Sequence, residues 1–206
     1  MSNTKALKLD SSFRPIDVID AVEALVLCIV GKARVVESHQ EEIRSVVKVL
    51  KNGEISGFVA SAVPQFYGGE QVRKLEKDFS KKFNSNYALS VNSATSGIYC
   101  MLMAHNIQPG DEIITSPYTM HATASSILQC GAVPIFADIE DDTFGLDPKS
   151  VEKKISKYTK GIIAVNIFGH SCEINSLKKI AKKHNLFLVE DNSQAPGGKL
   201  SAKKFT

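Results

Sequence analysis

Apolar positions change period several times along this chain, and each change predicts an element. Leu7 and Leu9 flank Lys8 in the two-residue alternation of a short strand. Asp17 reads as the N-cap of a helix running to Gly31, and Ala33-Arg34-Val35-Val36 as a second short strand. After His39, the residues Ile43, Val46, Val47 and Leu50 recur at helical spacing, and Asn52-Gly53 closes the helix. Residues 57–69 are rich in Gly, Ala and Ser, carry little period and read as a loop. Val72, Leu75, Phe79 and Phe83 mark a second amphipathic helix.

From Tyr87 the pattern becomes an alternation of apolar strands and helices. Strands are predicted at residues 88–91, 112–115, 133–137, 161–165 and 186–189. Helices are predicted between them, at residues 97–105, 122–129 and 148–156, and around Leu177, Ile180 and Ala181. Val151 and Ile155 face inward on the third of these. Strands that are apolar on both faces and separated by helices imply an α/β fold: a mainly parallel sheet with helices on both faces.

Composition changes this picture little. With 206 residues and 43% hydrophobic content the chain is long enough to bury a real core. The net charge of +3 points to no particular partner. Lysines cluster at 149, 153, 154, 157 and 160 and at 178, 179, 182 and 183, a spacing that puts them on outer helix faces. A solvated face is the favoured reading, and nucleic acid is disfavoured as a partner. Cys28, Cys100, Cys130 and Cys172 form no C-x-x-C pair and sit among apolar neighbours, as buried free thiols would in a reducing cytosol. The longest apolar run, residues 24–30, is far short of the about 20 residues that a membrane span needs. The start of the chain lacks the pattern of a secretory signal, so a cytoplasmic location is expected.

Two motifs carry chemistry. Asn92-Ser93-Ala94-Thr95-Ser96-Gly97 joins a predicted strand to a predicted helix. Small residues there let the backbone approach an anion, and a helix N-terminus offers unpaired N–H groups and a favourable dipole. An ordinary helix cap would look the same. Leu186-Phe187-Leu188-Val189-Glu190-Asp191-Asn192-Ser193-Gln194-Ala195 is a strand that delivers an acidic pair and a glutamine at its carboxyl end, where open α/β sheets bind ligands. Alone, Asp191 would read as a surface residue starting a turn. No cluster suggests a metal.

In this order, and with these intervening strands, residues 40–195 resemble the DegT/DnrJ/EryC1/StrS sugar aminotransferases. The resemblance runs through Gln40-Glu41-Glu42-Ile43, Gly69-Glu70-Gln71-Val72, Val91-Asn92-Ser93-Ala94-Thr95-Ser96-Gly97 and Pro109-Gly110-Asp111-Glu112. It continues through Tyr118-Thr119, Gly131-Ala132-Val133-Pro134, Phe168-Gly169 and Val189-Glu190-Asp191-Asn192-Ser193-Gln194-Ala195. It implies part of the large domain of the aspartate-aminotransferase-like transferase fold (fold type I) and the cofactor pyridoxal 5'-phosphate. It also implies that Ala94, Thr95 and Ser96 hold the phosphate, that Asp191 pairs with the pyridine nitrogen, and that Gln194 contacts the ring oxygen. Met120 stands where many members place an aromatic that stacks on the ring; a thioether packs there more weakly. The implied partners are a nucleotide-sugar, an amino-acid donor and, in the complete enzyme, a second identical subunit.

The resemblance stops after Pro196. The family's Schiff-base lysine lies farther along than Thr206, so no catalytic lysine is assigned and covalent attachment of the cofactor is not expected. Lys199, Lys203 and Lys204 read as a solvated tail. Residues 1–38, through Leu7-Lys8-Leu9-Asp10, Phe13-Arg14-Pro15-Ile16 and Gly31-Lys32-Ala33-Arg34, resemble the lead-in of HNH endonucleases, without that family's catalytic motif. The expected organisation is a leader at 1–38 and a truncated aminotransferase large domain at 39–206. The expected function is nucleotide-sugar amino transfer, left incomplete by the missing lysine. The alternative is a non-catalytic fragment that binds a phosphate ligand or a homologous subunit.

Overall fold

The computed structural model describes residues 5–9, 15–20, 40–53, 67–201 and 204–205, and the chain divides into two compact units, residues 1–88 and 89–206. In the first unit, β1 (Lys5–Leu9) pairs antiparallel with β2 (Pro15–Asp20). Asp17 lies within β2, opposite Lys8, and caps no helix. Ile16, Val18 and Ile19 are β-branched and suit a ladder better than a helix, which accounts for the difference. The remainder of the expected helix and residues 33–36 lie outside the described residues, as does Cys28.

Helices α1 (Gln40–Asn52) and α2 (Glu70–Phe83) follow the helical spacing of their apolar residues. Gly53 ends α1 at φ +72°, and Asn84 ends α2 in the left-handed region at φ 51°. Lys48 Nζ donates to Glu70 Oε1 at 2.9 Å. Ile43, Val46, Leu50, Leu75 and Phe79 stay exposed. The loop expected at 57–69 lies mostly outside the described residues.

The second unit carries the sheet. Its elements are α3 (Ala94–Ala104), β3 (Glu112–Thr115), α4 (His121–Gln129), β4 (Val133–Phe136), α5 (Pro148–Lys154), β5 (Thr159–Val165), α6 (Ile174–Lys183) and β6 (Phe187–Asp191). The strand order is β4-β3-β5-β6, and every pair is parallel. Adjacent residues of a strand point to opposite faces. Ile113 and Ile163 therefore enter one core with Ile98 and Leu102 of α3 and Ile127 of α4. Ile114 and Ile162 enter the other, with Val151 of α5 and Ile174, Leu177 and Ala181 of α6. This two-sided burial is why the strands read as unbroken apolar runs.

Three expectations change. Residues 88–91 form no strand: no ladder pairs them among the described residues, and Leu89 is 78% exposed. A short apolar run becomes a strand only beside a neighbour. Helix α3 begins at Ala94, before Gly97, because Ser93 caps it. At the C-terminus, where a solvated tail is expected, β7 (Lys199–Ser201) pairs antiparallel with β8 (Lys204–Phe205). Cys130 and Cys172 are buried free thiols, but Cys100 is exposed.

Candidate functional site

The carboxyl edge of the parallel sheet gathers the chemistry of the second unit. The β5–β6 ladder ends with Val165 opposite Asp191. Asp191 is buried at the last position of β6. Both of its side-chain hydrogen bonds fall on Oδ1, from the Ser193 N–H at 3.0 Å and from the Ser193 hydroxyl. The loop after Asp191 folds back on itself, with the Ala195 N–H donating to the Asn192 carbonyl at 3.0 Å.

Gln194 follows in the same loop. Its Oε1 accepts from the Phe168 N–H at 2.7 Å. A backbone N–H can only donate, so this bond fixes which end of the amide is oxygen and leaves Nε2 to present its two donors elsewhere. Phe168 sits at φ 55°, a conformation uncommon for a bulky residue, in the short 3-10 turn Ile167–Gly169 that follows β5. Its exposed ring meets Tyr118 and Phe144, with centroids 6.0 and 6.4 Å away.

The second motif opens α3. Ser93 is the N-cap, and its Oγ accepts from the Ser96 N–H at 3.1 Å. The N–H groups of Ala94 and Thr95 lie in the first turn and have no intrahelical acceptor. Ser126 Oγ lies 3.2 Å from the Thr95 carbonyl and 2.8 Å from that of Ala122, which ties the start of α3 to α4. Packing brings this helix end to the level of Asp191. His105, the C-cap of α3, stacks on Phe187, the first residue of β6. The chain then leaves α3 to enter β3 at the amino edge of the sheet. Helix and strand are each about 16 Å long, so the N-terminus of α3 lies at the carboxyl edge.

Met120 follows β3 on the same edge, as the N-cap of α4, and the residue is 61% exposed. Asn166 escaped the sequence reading. It is fully buried at the carboxyl end of β5, and its amide joins β5 to the Asp191 loop. The only signal for it was a polar residue ending an apolar strand. Burial pushes the Cys172 thiol above its ordinary pKa, and its Sγ lies 3.0 Å from the Val165 carbonyl. Among the described residues no group of three or more His, Cys, Asp or Glu side chains could hold a metal ion, and no helix is long and apolar enough to cross a membrane.

A model of the DegT/DnrJ/EryC1/StrS aminotransferase family matches residues 39–205. The chain belongs to this family. The spore coat polysaccharide biosynthesis protein SpsC of Bacillus subtilis (strain 168) is 36% identical over 76% of this chain and 37% of its own length. The GDP-perosamine synthase of Vibrio cholerae is 34% identical over 72% of this chain and 39% of its own length. A crystal structure of GDP-4-keto-6-deoxymannose-3-dehydratase, with a trapped PLP-glutamate geminal diamine, superposes with a TM-score of 0.71 at 26% identity. It covers 82% of this chain and 42% of that one.

The DegT/DnrJ/EryC1/StrS chain described here thus spans about two fifths of the length of these relatives. Its sheet of parallel strands between two helical layers is the α/β architecture that its pyridoxal-phosphate-dependent structural neighbours share. Both motifs, the α3 start and the Asp191–Gln194 loop, fall inside the matched residues.

Proposed function

We propose that this chain supplies the cofactor-holding part of a pyridoxal-phosphate-dependent aminotransferase acting on a nucleotide-linked keto-sugar, with an amino acid as amino donor. The observation that carries the reading is a pairing at one sheet edge: a buried carboxylate at the end of β6 and the open N-terminus of α3 at the same level. The named activities of the relatives, GDP-perosamine synthesis and chemistry on a GDP-keto-deoxysugar, supply the substrate class.

The residues present fit the cofactor. Its phosphate would be held by the N–H groups of Ala94 and Thr95 and by the hydroxyls of Thr95 and Ser96, with the helix dipole favouring the anion. Asp191 would accept a hydrogen bond from the protonated pyridine nitrogen and so keep that proton on the ring. Gln194 Nε2 would donate to the phenolic oxygen, since its Oε1 is occupied by Phe168. Met120 would pack against the ring through its thioether. When bound, the cofactor supplies an electron sink for the carbon that exchanges its amino group. In this reading the chain binds and orients the ring, and no proton-transfer role falls on the residues named here. The complete enzyme is proposed to be a homodimer in the cytoplasm.

The test is titration of the whole chain with pyridoxamine 5'-phosphate, which lacks the aldehyde that would modify surface lysines, followed by fluorescence. Binding about tenfold or more tighter than inorganic phosphate is expected, because the ring adds contacts to Asp191 and Gln194. Equal affinity for the two would sink the reading and leave a phosphate-binding fragment in its place.

A further inference from the structure

We infer that Asn166 is a positioning residue that sets the geometry of Asp191 and Gln194 by continuing the β5–β6 ladder beyond its last backbone pair. The observations form one connected set. The Asn166 N–H donates to the Asp191 carbonyl at 3.0 Å. Its side-chain Nδ2 donates to Asn192 Oδ1, and its Oδ1 accepts from the Cys172 N–H at 2.8 Å. Two residues on, the Phe168 N–H donates to Gln194 Oε1. Residues 166 and 168 thus grip the 191–194 loop at three successive points, and Cys172 anchors that grip from the buried side.

The physical reason lies in what surrounds the amide. Asn166 is fully buried, where an unpaired amide costs far more than it does in water, so its bonds resist opening. A loop hydrogen-bonded only to itself would let the Asp191 carboxylate and the Gln194 amide wander independently. Tied to the end of β5, they keep one spacing, and a planar ring that must meet both needs that spacing. Asn166 touches neither ring nor phosphate in this arrangement; it acts through Asn192 and the Asp191 backbone. This rests on the reading of Asp191 and Gln194 as the ring-facing pair, but the clamp can be measured without any ligand.

The experiment compares wild type, Asn166→Leu, Asn192→Ala and the double variant of the full chain. Amide hydrogen exchange of the ligand-free proteins is read at Ser193 and Phe168, with Ile163 in the body of β5 as reference. Both single variants should speed exchange at Ser193 and Phe168 by about tenfold, the worth of one net hydrogen bond, and leave Ile163 unchanged. The double variant should add little to Asn166→Leu at Ser193, because that substitution already removes the bond that the two residues share. In parallel, the ratio of pyridoxamine 5'-phosphate affinity to inorganic phosphate affinity should fall by a similar factor in all three. A merely structural Asn166 would speed exchange everywhere and leave Asn192→Ala silent at Ser193, and that result would overturn the inference. If Asn166→Leu fails to fold, Asn192→Ala decides alone. If wild type binds no pyridoxamine 5'-phosphate while the exchange pattern appears, the cofactor reading falls and the clamp stands.

Discussion

His105 stacks on Phe187 with ring centroids 4.2 Å apart and planes 8° from parallel. The contact pins the C-terminus of α3 to the start of β6, and so holds the two ends of the candidate site at one edge. It is possible because Gly161, opposite Phe187 on β5, has no side chain: a Cβ there would lie 2.2 Å from the Phe187 ring.

Gly161→Ala is therefore expected to push the Phe187 ring off His105 and to destabilise the second unit by about 1–3 kcal/mol, the usual cost of overpacking. Thermal melts of Gly161→Ala, Phe187→Ala and the double variant check this. The double variant should lose less than the sum of the singles, since removing the ring removes the clash.

Thiol reactivity should separate the cysteines. Cys100 is exposed and should react with iodoacetamide in the native protein, while Cys130 and Cys172 should react only on unfolding. Burial raises both of the latter thiols above the ordinary value. In the unfolded chain a thiol releases its proton at about pH 8.5, before the folded one does. The unfolded state thus gains on that release, and stability should hold below that pH and fall as pH rises above it. Chemical denaturation between pH 7 and 10 checks the sign. A Cys172→Ser variant should show a shallower fall.

The two halves of the site should separate by ligand. Asp191→Asn should weaken pyridoxamine 5'-phosphate by about tenfold or more, because the charge-assisted bond to the pyridine nitrogen is lost, and leave inorganic phosphate unaffected. Thr95→Ala should weaken both ligands, and only by a few-fold, because the helix N–H groups remain. Competition titrations of the two variants read the difference. A phosphate affinity that tracks Asp191 would mean that the anion site has been misplaced.

Gln194→Glu tests the amide's orientation. A carboxylate still accepts from the Phe168 N–H but offers no donor to the ring oxygen. The variant should melt close to wild type and bind pyridoxamine 5'-phosphate about tenfold more weakly. An unchanged affinity would show that Nε2 does not face the ligand.

The sequence by itself located the four parallel strands, the four helices that cover them and the two motifs of the second unit. Ile113-Ile114 and Ile162-Ile163 are apolar on consecutive residues because both sheet faces are buried, and burial is legible in composition. Asp191 was legible as a strand-end residue for the same reason. What the sequence could not decide were properties that depend on a neighbour. Residues 88–91 have strand composition and no strand, since a ladder needs a second backbone beside it. Asp17 looked like a cap and became part of β2, because pairing with β1 outweighs a local capping preference. Asn166 and the stack of His105 on Phe187 join residues 26 and 82 positions apart. No local pattern encodes such contacts. Only the packed structure, by choosing which buried groups share a partner, decides that an asparagine ending an apolar strand holds the loop of an aspartate on the next one.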